Sequence, residues 1–169
     1  MWYVIYVKGG QEHKTTEFLQ NNSLKAFTPM KEKYHKKNGK LIKVQQVLFP
    51  NYIFIDSSDD YVDFSGKLNK LKLMNKSLIK ELKYDLEGTP ALHEEEVMIL
   101  ERLLGVNNVV ATSVGFIEDD RVVITEGPLV GFESSIVHID RHKREAKIEI
   151  DILGSKREVK VSLDILSKI

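Results

Sequence analysis

Leu48-Phe49-Pro50-Asn51-Tyr52-Ile53-Phe54-Ile55 is an aromatic, β-branched run entered through a proline. Residues of this kind suit a pleated, packed strand, and a proline is tolerated near a strand's start, where its missing N–H is not needed. The pattern predicts a strand over 49–55, with Tyr52 and Phe54 on one face and Phe49 and Ile53 on the other. A second signal lies far along the chain, in Ile124-Thr125-Glu126-Gly127-Pro128-Leu129-Val130-Gly131-Phe132. There a Gly-Pro turn between β-branched segments opens an all-β tail.

Working outward from the first run, Trp2-Tyr3-Val4-Ile5-Tyr6-Val7 reads as a strand buried on both faces and ended by Gly9-Gly10. Residues 11–19 are helix-like, with Phe18 and Leu19 facing inward. Residues 26–36 read as a strand broken by Pro29, and Lys37-Asn38-Gly39-Lys40 as a hairpin turn back into 41–47. Asn-Gly supplies the two positive-φ positions that a type I′ turn requires. Ser57-Ser58-Asp59-Asp60 offers an N-cap for a helix through 71. Thr89-Pro90 restarts the pattern, and 92–104 carries Leu92, Val97, Leu100, Leu103 and Leu104 at helical spacing behind Glu94, Glu95 and Glu96, acidic residues that suit a helix N-terminus. Residues 106–118 have weak periodicity and read as a linker, part of which could equally be strand. Short β-like runs at 121–124, 135–140, 147–152 and 158–161 then suggest a small barrel.

Composition narrows the function. The 169 residues are 42% hydrophobic and 30% charged, enough for cores and unlike a disordered chain. Net charge is +0, so any nucleic-acid role must come from local patches. With 0 cysteines, disulfides and cysteine-ligated metals are excluded. The apolar N-terminal run lacks the marks of a signal peptide, and no run approaches the roughly 18 residues of a membrane helix, so a soluble, cytoplasmic, monomeric protein without a membrane partner is expected. His13, His35, His93, His138 and His142 show no metal spacing. Neither a phosphate-cradling glycine loop nor a nucleophile motif occurs, so no enzyme, metal or cofactor is expected.

The two opening signals, in this order, resemble the two-domain NusG family of transcription elongation factors. Trp2-Tyr3, Gly10, Phe49-Pro50-Asn51-Tyr52 and Pro90 before the Glu-rich helix resemble its N-terminal (NGN) domain; residues 124–140, 147–161 and 165–169 resemble its KOW barrel. The resemblance implies an α+β fold: an NGN α/β sandwich-like domain at 1–105, the linker at 106–118, and a small SH3-like antiparallel KOW β-barrel at 119–169. Phe-Pro-Asn-Tyr at 49–52 looks like the operon-specific antiterminator RfaH, where the common factor often has Gly at the Asn51 position, and residues 139–148 look like the LoaP class of antiterminators. One departure is that Ser134-Ser135 stands where KOW motifs usually carry a glycine, leaving the bend there without its permissive residue.

The resemblance also implies roles. Tyr6, Phe49, Tyr52 and Phe54 would dock on the clamp helices of the large subunit of RNA polymerase, although alternation alone reads them equally as core. The basic turn Arg141-His142-Lys143-Arg144, with Lys147, Lys156 and Arg157, would bind an RNA hairpin in a nascent leader transcript; a charged β-turn is otherwise a common solvated feature. Contact with non-template DNA is implied for Lys8, Gln11, His13 and Lys14, and for Lys36, Lys37 and Lys40 of the hairpin, whose lysines Lys31, Lys33 and Lys43 could equally be protecting a strand edge. The function implied is processive antitermination. The alternative is a housekeeping elongation and termination factor whose barrel binds proteins, the termination factor Rho or the ribosome, through Phe132, Ile152 and Leu153.

Overall fold

The structure, a computed structural model, describes residues 1–83 and 92–169. The expected restart at Thr89-Pro90 lies outside the described residues. The chain separates into two compact units: unit one is Met1–Pro29 with Phe49–Met98, and unit two is Met30–Leu48 with Ile99–Ile169. The β-hairpin expected within the first domain therefore groups with the C-terminal segment.

Unit one is built on a four-stranded sheet. Its strands are β1 (Trp2–Val7), β2 (Lys25–Phe27), β5 (Tyr52–Asp56) and β6 (Leu78–Glu81), in the order β2-β5-β1-β6. Alternation along β1 and β5 sends Tyr3, Ile5, Val7, Ile53 and Ile55 to one face. There they form one core with Leu19 of α1 (Glu12–Asn21) and Phe64, Leu68 and Leu71 of α2 (Tyr61–Met74). Tyr3 stacks on Phe64 at 3.8 Å between ring centroids, and its hydroxyl donates to the Asp59 carbonyl at 2.8 Å. Helix α2 starts where the polar run predicts: the Asp60 carboxylate accepts from the Asp63 N–H at 2.9 Å, satisfying an orphan donor of the first turn. Strand β6 escapes sequence reading, since four residues, Leu78-Ile79-Lys80-Glu81, are too short to show a period. Helix α3 (Glu94–Leu104) spans the division between the units.

The opening run departs from its expected form. The strand starts at Tyr52, and Phe49–Tyr52 is a β-turn closed by the Tyr52 N–H on the Phe49 carbonyl at 3.2 Å. Pro50 presets the second residue and Asn51 takes φ +73°, the arrangement of a type II turn, which needs Gly or Asn at its third position. Alternation cannot run through a turn. Phe49 accordingly lies on the same side as Phe54, at 5.7 Å between centroids, and not opposite it. Asn51 also ties the turn down: its side-chain amide donates to the Val7 carbonyl at 3.1 Å and its backbone N–H to the buried Glu12 carboxylate at 2.9 Å.

Unit two holds a hairpin and a larger sheet. The hairpin pairs β3 (Met30–Lys37) with β4 (Lys40–Val47) through Asn38 at φ +50° and Gly39 at φ +75°, the type I′ turn expected. On the other edge of β3, the two-residue β7 (Val109–Val110) pairs in parallel with Met30 and Lys31. The larger sheet runs β10-β11-β12-β8-β9, from β8 (Ser113–Glu118), β9 (Arg121–Glu126), β10 (Ile136–Asp140), β11 (Glu145–Ile152) and β12 (Ser155–Lys168). Strand β8 falls inside the stretch read as a linker; its weak periodicity reflects Ser113 and Gly115 on inward positions that normally carry apolar side chains. Among the described residues β9 and β10 stand at the two edges of the ladder, so by hydrogen bonding the sheet is open where a closed antiparallel barrel was expected. Strand β12 pairs antiparallel with β11 over Ser155–Ser162 and then parallel with β8 from Leu163.

Inward positions of this sheet, among them Ala146, Ile148, Ile150, Ile152, Val159, Val161 and Leu163, are buried together with Leu129 and Phe132. Gly127, at φ +96°, lets the following turn approach β8 so closely that a Cβ would come within 2.6 Å of Ser113 Cα. The bend expected to miss its glycine, Glu133–Ser135, is a 3-10 turn without positive φ, which ordinary residues adopt; the permissive position is Gly131, before the aromatic.

Candidate functional site

Two surfaces carry the residues singled out in the sequence. The first is the face of the unit-one sheet opposite the helices. Register places Trp2, Val4 and Tyr6 of β1 beside Asp56, Phe54 and Tyr52 of β5. The middle row, Val4 with Phe54, is fully buried at 0% exposure, and Phe54 is wedged among Trp2, Phe27 and Phe49 at 6.4, 5.8 and 5.7 Å. The end row is different. Tyr6 and Tyr52 are half-buried, packed edge to face at 5.6 Å, with Lys80 of β6 paired opposite Tyr6 and its ammonium 6.0 Å from that ring. Of the four aromatic residues expected at a docking surface, Tyr6 and Tyr52 can thus be touched from outside. Phe49, at 5% exposure, and Phe54 lie beneath, where a partner does not reach them without rearrangement.

The second surface is a groove in unit two. From Glu32 onward, the edge of β3 turned away from β4 pairs with no strand among the described residues. It faces β12 and the β10–β11 turn across a cavity of about 410 Å³ lined by Lys31, Lys33, Tyr34, Lys36, Leu41, Gln46, His142, Lys143, Arg144, Glu145 and Lys160. Two basic segments more than a hundred residues apart in sequence therefore meet here, and lysine or arginine greatly outnumbers the single glutamate of the lining.

Each side of the groove is fixed. In the turn, the Asp140 carboxylate accepts from the Lys143 N–H at 3.0 Å, and this bond, with the Lys143 and His142 charges beside it, holds Asp140 below the ordinary carboxylate range. Arg144 takes φ +53°, and its guanidinium meets Asp164 Oδ1 at 3.0 Å while lying 5.1 Å over the Tyr34 ring. Tyr34 donates its hydroxyl to Asp164 Oδ2 at 2.5 Å; burial, and then this acceptor's charge, push the phenol up and keep it protonated. Lys31 reaches across to donate to the Lys160 carbonyl at 2.7 Å. Its ammonium is pulled below the ordinary lysine value, by burial first, with Lys33 and Lys160 adding to the effect against Glu145. Elsewhere on β3, burial works to raise the Glu32 carboxyl, but the hydroxyl and N–H of Thr112, both at 2.7 Å, together with Lys43 outweigh it and hold it low.

The other expected contacts scatter. Arg141 lines a neighbouring cavity with His142, Arg144 and Asp164. Lys147 and Lys156 sit on the outer face of the β11–β12 ladder and pair diagonally with Glu158 at 3.4 Å and Glu149 at 3.3 Å. Arg157 pairs in register with the inward Ile150, on the opposite face, so the expected seven-residue basic cluster divides. Lys8, His13 and Lys14 are exposed at the start of α1, with Gln11 half-buried, in unit one, whereas Lys36, Lys37 and Lys40 are exposed on the hairpin of unit two. Phe132 and Ile152, named for the protein-binding alternative, are buried, and Arg102 covers the Phe132 ring at 4.5 Å. Sequence reading missed Tyr34, Lys160 and Asp164. Tyr34 had a signal, an aromatic set among lysines in Lys31-Glu32-Lys33-Tyr34-His35-Lys36; Lys160 and Asp164 had none.

A family model described as transcription termination factor nusG matches residues 1–123. The protein named transcription termination/antitermination protein NusG from Halalkalibacterium halodurans is 24% identical over 99% of this chain and 98% of its own length. Its namesakes from Bacillus subtilis and Thermus thermophilus are 25% and 26% identical, each over 90% of this chain and over 89% and 90% of their own. A crystal structure of an Spt4:Spt5 complex aligns over 100% of both chains at 13% identity with a TM-score of 0.36, too low to bear on the fold.

Proposed function

The chain belongs to the NusG family, and from that membership we propose that it is a transcription termination/antitermination factor acting by binding, and that it is a specialised antiterminator of the LoaP type. The observation that carries the general reading is the match of residues 1–123 to that family, with relatives of that function spanning nearly the whole chain. RNA polymerase is the proposed partner of unit one, through its clamp helices and the Lys80–Tyr6–Tyr52 row. The support is physical: paired tyrosines held by a ladder lose little side-chain freedom on docking, and such aromatic anchors dominate interface energies. Phe49 and Phe54 act beneath, as the packing that keeps the row in place. A factor that binds one polymerase conformation better than another shifts polymerase toward it, which is how such a protein suppresses pausing.

The C-terminal part, 119–169, is proposed as a KOW domain that reads an RNA hairpin through Arg141, His142 and Lys143, with Arg144 holding the turn in place. What supports this is local charge density around the turn in a chain of net charge +0. Lys147 and Lys156, each with a carboxylate partner, are proposed as secondary contacts. Tethering the polymerase and RNA contacts in one chain raises the effective concentration of the second once the first is made. Such a factor works in the cytoplasm, as a monomer, where polymerase is.

The test is transcription by purified polymerase on a template carrying a leader hairpin before an intrinsic terminator. Addition of the protein is expected to raise read-through, and deletion of the hairpin to remove the effect. Equal read-through with and without the hairpin would identify a general elongation factor instead, and no change in pausing or termination on either template would overturn the reading.

A further inference from the structure

We propose that the hairpin edge and the β10–β11 turn form one composite groove for a phosphodiester strand, so that Lys31, Lys33 and Lys36 engage the same RNA as the basic turn. This rests on the RNA reading above and assigns the hairpin lysines to it. The two segments belong to one unit and face each other across one cavity, with Lys143 and Lys160 on the far wall. Their closeness has a cost in the free protein. Burial disfavours the Lys31 ammonium first, and Lys33 and Lys160 add repulsion that Glu145 opposes. A polyanion in the groove removes that repulsion and releases its own counterions. The edge of β3, which pairs with no strand among the described residues beyond Lys31, adds backbone donors along the same wall.

Arg144 has a different part from its neighbours. Its guanidinium is committed to Asp164 and covers Tyr34, whose hydroxyl meets the same carboxylate. These contacts hold the edge of β3 at a fixed distance from the turn, so Arg144 is a positioning residue and the lysines are the phosphate contacts. The lysines answer to backbone charge, and the 2′-hydroxyls and A-form helix of RNA set it apart from a DNA strand of the same charge.

The test uses the full-length chain and a fluorescein-labelled RNA stem-loop, titrated at several salt concentrations between about 50 and 200 mM, with a DNA stem-loop of the same sequence in parallel. Lys33→Ala with Lys36→Ala is expected to weaken RNA binding about tenfold and to lower the salt slope by about 1–2. Arg141→Ala with Lys143→Ala is expected to do likewise, and Lys70→Ala with Lys76→Ala, on and just beyond the exposed side of α2, to do neither. Circular dichroism checks that each variant is folded. Loss only in the turn variant would overturn the composite groove and leave the RNA reading standing. No loss in either variant, or equal binding of DNA and RNA with unchanged slopes, would overturn the RNA reading itself.

Discussion

The tyrosine row of unit one and the basic groove of unit two are both surfaces built on strands, but they are assembled by opposite rules. The row comes from a single sheet: neighbouring strands in register set Lys80, Tyr6 and Tyr52 side by side, and the same register buries Phe54 one step inward. The groove comes from no sheet at all. It lies where one sheet's edge meets another sheet's turn, with Tyr34 and Asp164 as the clasp. The row is thus set by strand register within one sheet, and the groove by the meeting of two sheets. The two should answer differently to mutation.

The widest difference lies within the first surface. Phe54→Ala, which empties a site among three aromatic rings, is expected to cost about 3–5 kcal/mol in a urea unfolding titration. Tyr52→Ala is expected to cost about 1 kcal/mol or less in stability and to lower affinity for polymerase tenfold or more, read by fluorescence anisotropy. If Tyr52→Ala unfolds the protein as Phe54→Ala does, the end row is core and the contrast between rows fails.

The next difference concerns the turn that enters the row. Asn51→Ala places a Cβ-bearing residue without a side-chain amide at φ +73° and breaks the bond to Val7, so a loss of about 1–2 kcal/mol is expected. Asn51→Gly, which keeps the turn and loses only the amide, should fall by less. Equal losses would mean that the amide alone matters.

In unit two, the Leu153-Gly154 turn between β11 and β12 holds both residues at positive φ, +57° and +73°, as Asn38-Gly39 does in the hairpin. A leucine is poorly suited to that conformation. Leu153→Asn is therefore expected to raise stability by about 0.5–1 kcal/mol, seen as a higher urea midpoint with an unchanged slope.

The smallest expected effect is on pH. The Lys31 pKa is lower in the folded protein than in the unfolded chain, so its charge opposes folding at neutral pH; that opposition is relieved as pH rises through the folded value toward the ordinary one. Stability of unit two should rise slightly over this alkaline window, while RNA affinity falls there before the other lysines titrate. Lys31→Gln should remove both trends. An RNA affinity whose alkaline fall is unaltered in that variant would place Lys31 outside the groove.

How much of this was legible in the sequence follows the same divide. The type I′ turn at Asn38-Gly39, the Asp60 cap and the strand β1 rest on residues within a few positions of one another, and pattern reading reached them, although β1, read as buried on both faces, leaves Trp2 and Tyr6 half-buried. It failed at 49–52, where a strand was read through a turn because proline and aromatics suit both. At β8 it could not choose between linker and strand, because inward Ser113 and Gly115 hide the period. The groove was half legible: both basic segments stood out, but as separate sites, because nothing in either says that Tyr34 and Asp164, |i−j| = 130, are partners.

Strand β12 has one more consequence. It completes β11 with its first half and β8 with its second, and it supplies the acceptors that Lys31 and Tyr34 reach for. During synthesis on the ribosome, the hairpin of Met30–Leu48 emerges early, while every one of those partners is still untranslated. Loops of this length close late and slowly. For that interval the β3 edge lacks those partners, and the lysines along it disfavour pairing with another nascent chain, as charge on an open strand edge does.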